Sequence, residues 1–347
     1  MDAATLIFLS SGLFLGWSLG ANDAANVFGT AVGSRMVRFT TAAAICSVMV
    51  ILGAVISGAG ASHTLGALGK ISAMGGAFTV ALTAALTVYM MTKWGLPVST
   101  GQAIVGAIIG WNLFSTTPTD AKVLTKILST WVFCPILAFF TAIALYKLVA
   151  AAINHLRPGL FGLDNWTRIG LVLAGAFGSY SLGANNIANV MGVFVPSAPF
   201  DHTTLLGIDF TPAMQLFLLG GLAIGVGVFT YSKRVMMTVG DSLIPMTPVT
   251  AWVVVMAHSI VLFLFSSQGL ADALVSVGLP PIPLVPVSSS QAVIGAVVGV
   301  GVLKGLPIRW RVLARVVMGW CCTPVISALG CWLLLYFVQN IFRVVVI

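Results

Sequence analysis

Residues 18–29 read SLGANDAANVFG, and residues 181–192 read SLGANNIANVMG. Nine of the twelve positions agree. A second pair follows: PVSTGQAIVGAIIG at 97–110 and PVSSSQAVIGAVVG at 286–299 agree at eight of fourteen positions. Trp131 and Pro135 recur as Trp320 and Pro324, at the same offset of 189 as the PVS pair. Unrelated segments of such a composition would agree at about one position in ten. The chain therefore reads as a duplication, with one GAN and one PVS motif in each half.

The solvent of that duplication is set by composition. Of 347 residues, 59% are hydrophobic and 7% charged, with a mean hydropathy of +1.08. A soluble domain carries roughly 25% charged residues. A chain this apolar cannot cover a water-facing surface, which excludes a soluble enzyme, a nucleic-acid binder and a disordered scaffold despite the net charge of +8. All eight acids are Asp; there is no Glu. The five cysteines lie in apolar stretches without a CxxC pair and read as small hydrophobes. Apolar sequence starts at residue 3 without a basic leader, so the first span is expected to be retained.

A lipid-crossing helix needs about 20 mostly apolar residues. Ten crossings are expected, at roughly 4–33, 40–60, 75–92, 96–114, 127–146, 169–192, 212–231, 249–267, 284–303 and 316–341. Several hold Gly, Pro or Asn clusters that can break them into half-helices or re-entrant hairpins. Lys and Arg mark cytoplasmic loops. Alternating crossings put twelve basic residues on one side, Arg35, Arg157 and Arg311 among them, and four on the other: Lys70, Lys122, Lys126 and Arg343. Both termini are then extracytoplasmic. Five crossings per half is an odd number, so the second half is expected to be inverted. The division is a first repeat at 1–153, a cytoplasmic linker at 154–168 and a second repeat at 169–347. The fold class is an all-α polytopic membrane protein of two inverted repeats, and such repeats with interrupted helices bind substrate at their interface.

Polar groups inside these spans are the candidates for chemistry. Asn22, Asp23 and Asn26 interrupt one crossing, and Asn185, Asn186 and Asn189 its counterpart. Buried amides and carboxylates are costly without partners, and polar glue between helices is the structural alternative. The flanking Gly20, Gly29, Gly183 and Gly192 permit unwound backbone, which would expose carbonyls to a cation and amides to an anion. Asp23 is the one acid within an expected crossing; it should hold a cation or titrate. Its mate is Asn186. Pro97 and Pro286 suit the first turn of a new helix. Ser99, Thr100, Gly101 and Gln102, and likewise Ser288, Ser289, Ser290 and Gln291, would then form half-helix N-termini. Free amides, hydroxyls and the dipole make these anion sites; plain capping is the alternative. Gly106, Gly110, Gly295 and Gly299, spaced by four, point to close helix packing. His258 lies in a crossing and reads as a packing or hydrogen-bonding residue. No Ser-His-Asp, GxSxG or HExxH arrangement is readable.

The GAN and PVS segments, with KRVMMTVGDSLIPMTP at 233–248, resemble the inorganic phosphate transporter (PiT) family over about residues 10–335. The resemblance implies a symporter of an inorganic anion with sodium or protons. It also implies inverted repeats and outward-facing termini. By the same likeness, Asn22, Asp23 and Asn26 match the first binding cluster and Asn185, Asn186 and Asn189 the second. Ser99, Thr100, Ser288 and Ser289 match the hydroxyls near the anion. The expected anion ligands are thus Asn22, Asn26, Ser99, Thr100, Gln102, Asn185, Asn189, Ser288, Ser289 and Gln291. Asp23 and Asn186 are the expected cation ligands, with Asp23 holding sodium if sodium is the coupling ion.

Two departures bear on the substrate. The family has Asp where this chain has Asn186, and often Thr-His where it has Gly101 and Gln102. Monohydrogen phosphate keeps a proton and benefits from an acceptor, whereas sulfate has none to donate. Phosphate stands first, with sulfate or another oxyanion as the alternative. An anion channel is the alternative of another class, and Asp23 speaks against it, because a pore needs no cation-holding group at its centre. The expected partners are the anion, the coupling ion and the bilayer of a cell or inner membrane, with no cofactor and no nucleic acid; a homo-oligomer is left open.

Overall fold

The structure is a computed structural model that describes residues 3–93, 98–205, 207–239, 244 and 246–347. It is helical nearly throughout, as lipid requires, because a helix satisfies its own backbone groups. In the first half run α1 (Ala3–Gly33), α2 (Phe39–Ser57), α3 (Ala59–Gly69), α4 (Met74–Lys93), α5 (Thr100–Ser115) and α6 (Ala121–Leu156). The second half holds α7 (Leu160–Met191), a 3-10 turn, and a small antiparallel hairpin of β1 (Thr203–Leu205) and β2 (Ile208–Phe210). It continues with α8 (Pro212–Thr230), α9 (Ser232–Val239), α10 (Pro248–Leu264), α11 (Gln268–Ser276), α12 (Ser289–Lys304) and α13 (Trp310–Asn340).

Each of the ten expected segments carries a helix. Among the described residues six helices (α1, α2, α4, α6, α8 and α13) are long and apolar enough to span a bilayer; α10 and α11, bent by 67°, make a seventh span if taken as one. α7 has the length, at 32 residues, but its Asn, Ser and Gly content keeps it out of that set. α5 and α12 differ from expectation. At 16 residues each, and about 1.5 Å per residue, they fall short of a hydrocarbon core of about 30 Å. They are half-helices rather than full crossings. α3, α9, α11 and the hairpin are additions that hydropathy did not signal. Between α6 and α7 only residues 157–159 are non-helical, with Arg157 left-handed at φ 43°, so most of the expected linker at 154–168 belongs to helix ends.

The GAN motifs are not unwound. Both lie in unbroken helix, α1 and α7. Their glycines serve packing instead: a Cβ on Gly20 would overlap the Ile224 carbonyl, and one on Gly183 the Val50 carbonyl. Gly227 meets the Trp17 carbonyl, and Gly53 that of Tyr180, in the same manner. The PVS glycines behave alike. Gly106 abuts Pro324 and Gly110 abuts Ala328, while Gly295 abuts Pro135 and Gly299 abuts Phe139. Each contact joins one half to the other, and each has its reciprocal. α1 thus lies on α8 and α7 on α2, while α5 lies on α13 and α12 on α6. On α6 and α13, Phe133, Phe140, Leu329 and Phe337 stay exposed, which is the surface that lipid would cover.

Candidate functional site

α5 and α12 begin where the sequence places them. Ser99 is extended and caps α5, its Oγ accepting from Gln102 N at 3.4 Å; Ser288 caps α12, accepting from Gln291 N at 3.3 Å. The first amides of each helix have no helical carbonyl to bond. Pro97 lies outside the described residues. The two N-termini meet: Ser290 Oγ donates to Val98 O at 3.4 Å and pairs with Ser288 Oγ at 3.0 Å.

The GAN side chains close on this junction. From α1, Asn26 Nδ2 donates to Ser289 Oγ at 3.0 Å. From α7, Asn189 packs on Gly101, where a Cβ would stand 3.3 Å from Asn189 Nδ2. Asn185 clamps the extended chain leading into α12: its Oδ1 accepts from Val287 N at 2.8 Å and its Nδ2 donates to Val285 O at 3.1 Å. Residues two apart in extended chain present their groups to the same side, and Pro286 between them has no N–H to place. Asn185, expected as an anion ligand, therefore spends its amide on the wall of the site. Asn22 donates to Ser18 O in its own helix at 2.9 Å.

Asn186 and Asn189 also depart from expectation. Asn189 Nδ2 donates to Asn186 Oδ1 at 3.0 Å. That leaves Asn189 Oδ1 and Asn186 Nδ2 buried without partners, as are Gln102 Oε1 and Gln291 Oε1. Asn186, assigned to the cation, thus offers an N–H suited to an anion, while Asn189, assigned to the anion, offers an oxygen suited to a cation. Unpaired buried polar atoms cost roughly 1–3 kcal/mol each. These four atoms belong to the motifs that meet at this junction, which is where a polar ligand would find partners. Thr100, Gln102, Ser289 and Gln291 are all buried. Asp23 is the only buried acid among the described residues, and no cationic side chain pairs with it there.

His258 on α10 is the residue that sequence reasoning undervalued. It is fully buried, and its Nε2 lies 2.9 Å from Ser289 Oγ. The one available signal was a histidine within an apolar span. The chain from Leu284 to Ser288 links this junction to a cavity of about 760 Å³ lined by His63, Thr64, Lys126, Asp272 and Leu284. Thr64 Oγ1 holds the Leu284 carbonyl at 2.6 Å. Among the described residues no group of three or more His, Cys, Asp or Glu side chains could hold a metal ion.

A helical membrane protein with half-helix N-termini facing paired polar motifs belongs to the class of solute transporters. The chain is a member of the phosphate transporter family, whose model matches residues 19–331. A putative phosphate permease of Thermococcus kodakarensis is 24% identical, the match covering 95% of this chain and 96% of the relative. The sulfate permease CysP of Bacillus subtilis is 28% identical, over 94% of this chain and 85% of its own. The fold is also that of a solved structure described as the sodium-dependent phosphate transporter, with a TM-score of 0.74 and 24% identity, covering 96% of this chain and 99% of that one. The protein is thus an integral membrane protein of a transporter family, not an enzyme.

Proposed function

We propose that the protein is a secondary active transporter that imports inorganic phosphate together with sodium or protons, by alternating access. The observation that carries this reading is the junction of the α5 and α12 N-termini, closed by Asn26 from α1 and Asn189 from α7. Backbone amides, hydroxyls and the Asn186 N–H would bind the anion. Asp23, with the free oxygens of Asn189, Gln102 and Gln291, offers the hard oxygen ligands that a sodium ion takes, or a proton carrier. Residues 1–153 and 169–347 act in this reading as inverted repeats with both termini extracytoplasmic. The reciprocal glycine contacts support it.

Sulfate is the second reading. Asn186 stands where the family's second motif has Asp, and its N–H is a donor that a fully deprotonated oxyanion prefers. The likeness to a sulfate permease favours it as well. The test is competitive uptake of labelled phosphate and sulfate into proteoliposomes, with and without sodium and a pH gradient. The expected result is phosphate accumulation above equilibrium that requires one of the two gradients. Preferential sulfate uptake would select the second reading. Flux that is only downhill and insensitive to both gradients would overturn coupling and favour a channel.

A further inference from the structure

We propose that His258 is a positioning residue of the anion site, holding the Ser289 hydroxyl so that its proton points at the anion. This rests on the oxyanion reading above. His258 is the only titratable side chain on α10, and it is fully buried. A polar group so placed is costly unless bonded, and its bond is the one from Nε2 to Ser289 Oγ at 2.9 Å. The same oxygen accepts from Asn26 Nδ2 at 3.0 Å.

A serine hydroxyl has one proton and two lone pairs. Asn26 occupies one lone pair. With the ring proton on Nε2, His258 occupies the other, and the Ser289 proton must go to a third partner at the α12 N-terminus. With the proton on Nδ1, Ser289 would instead donate into the ring, and a buried N–H would be left orphaned, since Nδ1 has no partner. Orphaned N–H groups are rarer than under-used acceptors, and a bound anion would accept the Ser289 proton, so the occupied site favours the Nε2 tautomer. Ser289 then becomes a pure donor. An anion oxygen can accept from it, while the hydroxyl of a protonated anion finds no lone pair there.

The arrangement is one-sided. The glycine contacts relate α2 to α8 by an offset of 174, which takes Gly53 to Gly227 and Val50 to Ile224. α4, which precedes α5 as α10 precedes α12, holds no histidine, and the PVS offset sets Ser289 opposite Thr100. Only the second-half N-terminus carries this support, so the anion is held asymmetrically although the backbone repeats.

The experiment is a KM and Vmax comparison in proteoliposomes, for phosphate and sulfate separately, using H258L, H258Q, S289A and the H258L/S289A double variant. Glutamine can put an N–H where Nε2 stands; leucine cannot. H258L is expected to raise KM about threefold to tenfold, the range of one neutral hydrogen bond, with Vmax per folded transporter unchanged. H258Q should stay near wild type. S289A should raise KM, and the double variant should be no worse than S289A alone, because both act through one hydroxyl. Wild-type KM in H258L, or effects that multiply in the double variant, would overturn the proposal. So would an H258Q as impaired as H258L. An unchanged KM in S289A would instead remove Ser289 from the anion site, and the proposal with it. If H258L does not assemble, as judged by size-exclusion profile, H258A takes its place in the same comparison.

Discussion

Asp23 stands alone as a buried acid among the described residues, and an ionised carboxylate in lipid costs at least a few kcal/mol without a partner. If the partner is the coupling ion, Asp23→Asn should abolish uptake against a gradient while anion binding survives, measured as labelled anion retained by detergent-solubilised protein. Continued accumulation in that variant would end the coupling role. Asn186→Asp restores the family pattern and should strengthen cation dependence and raise phosphate uptake relative to sulfate. An unchanged ratio would show that this side chain does not set specificity. Ser99 both caps α5 and offers a hydroxyl, and two substitutions separate the tasks. Losing a hydrogen bond to an anion costs about 1.5–3 kcal/mol, or roughly tenfold or more in apparent affinity. Ser99→Ala should show that loss together with about 1 kcal/mol of stability lost with the cap. Ser99→Gly should show the same affinity loss with a stability change of only a few tenths of a kcal/mol. Wild-type affinity in both would return Ser99 to an ordinary cap.

At the scale of elements, the glycines decide which helices can touch. Gly106 and Gly295 sit under Pro324 and Pro135, two prolines that recur with the motif itself. Gly106→Ala or Gly295→Ala should destabilise by about 1–3 kcal/mol, since backbone rather than a movable side chain fills the space. Gly66→Ala is the control, because a Cβ there meets nothing within 4 Å. Thermal unfolding in detergent reads the difference, and equal midpoints for Gly106→Ala and Gly66→Ala would deny the packing role. The starts of α5 and α12 were legible from Ser99 and Ser288, which cap a helix by local chemistry alone; Pro286, expected in the first turn, stands instead in the extended chain before the Ser288 cap. The GAN glycines were misread as licence to unwind. Glycine lowers the cost of an irregular backbone and of a close approach alike, and only the facing helix tells which is used.

For the whole molecule, the inverted reading makes a topological prediction. Cysteines introduced near Arg157 and Arg311 should be labelled only from the cytoplasm, and those near Thr117 and Thr203 only from outside. Labelling of positions 117 and 311 from the same face would sink the inverted repeat. The reciprocal contacts carry a mechanical consequence as well. Each half contributes helices that lie on the other, so neither half can move as an independent body. In the proposed transport cycle, a rigid body would have to combine helices of both halves, since α1 lies on α8 and α7 on α2 through backbone contacts at glycine.

The membrane environment, the duplication, the ten helical segments and the list of polar residues inside them came from the chain alone. They depend on composition and on matches along one dimension. Which amide serves which partner did not. Asn185 and Asn22 are equivalent in the motif, yet one grips Val285 and Val287 and the other its own helix at Ser18. Asn186 and Asn189 exchange their expected offers because one bonds the other. His258 joins the site from α10, 31 residues before Ser289. A hydrogen bond depends on where a neighbour's atoms stand to within a few tenths of an ångström. Only the packing of α1, α7, α10 and α12 around the α5 junction sets that position.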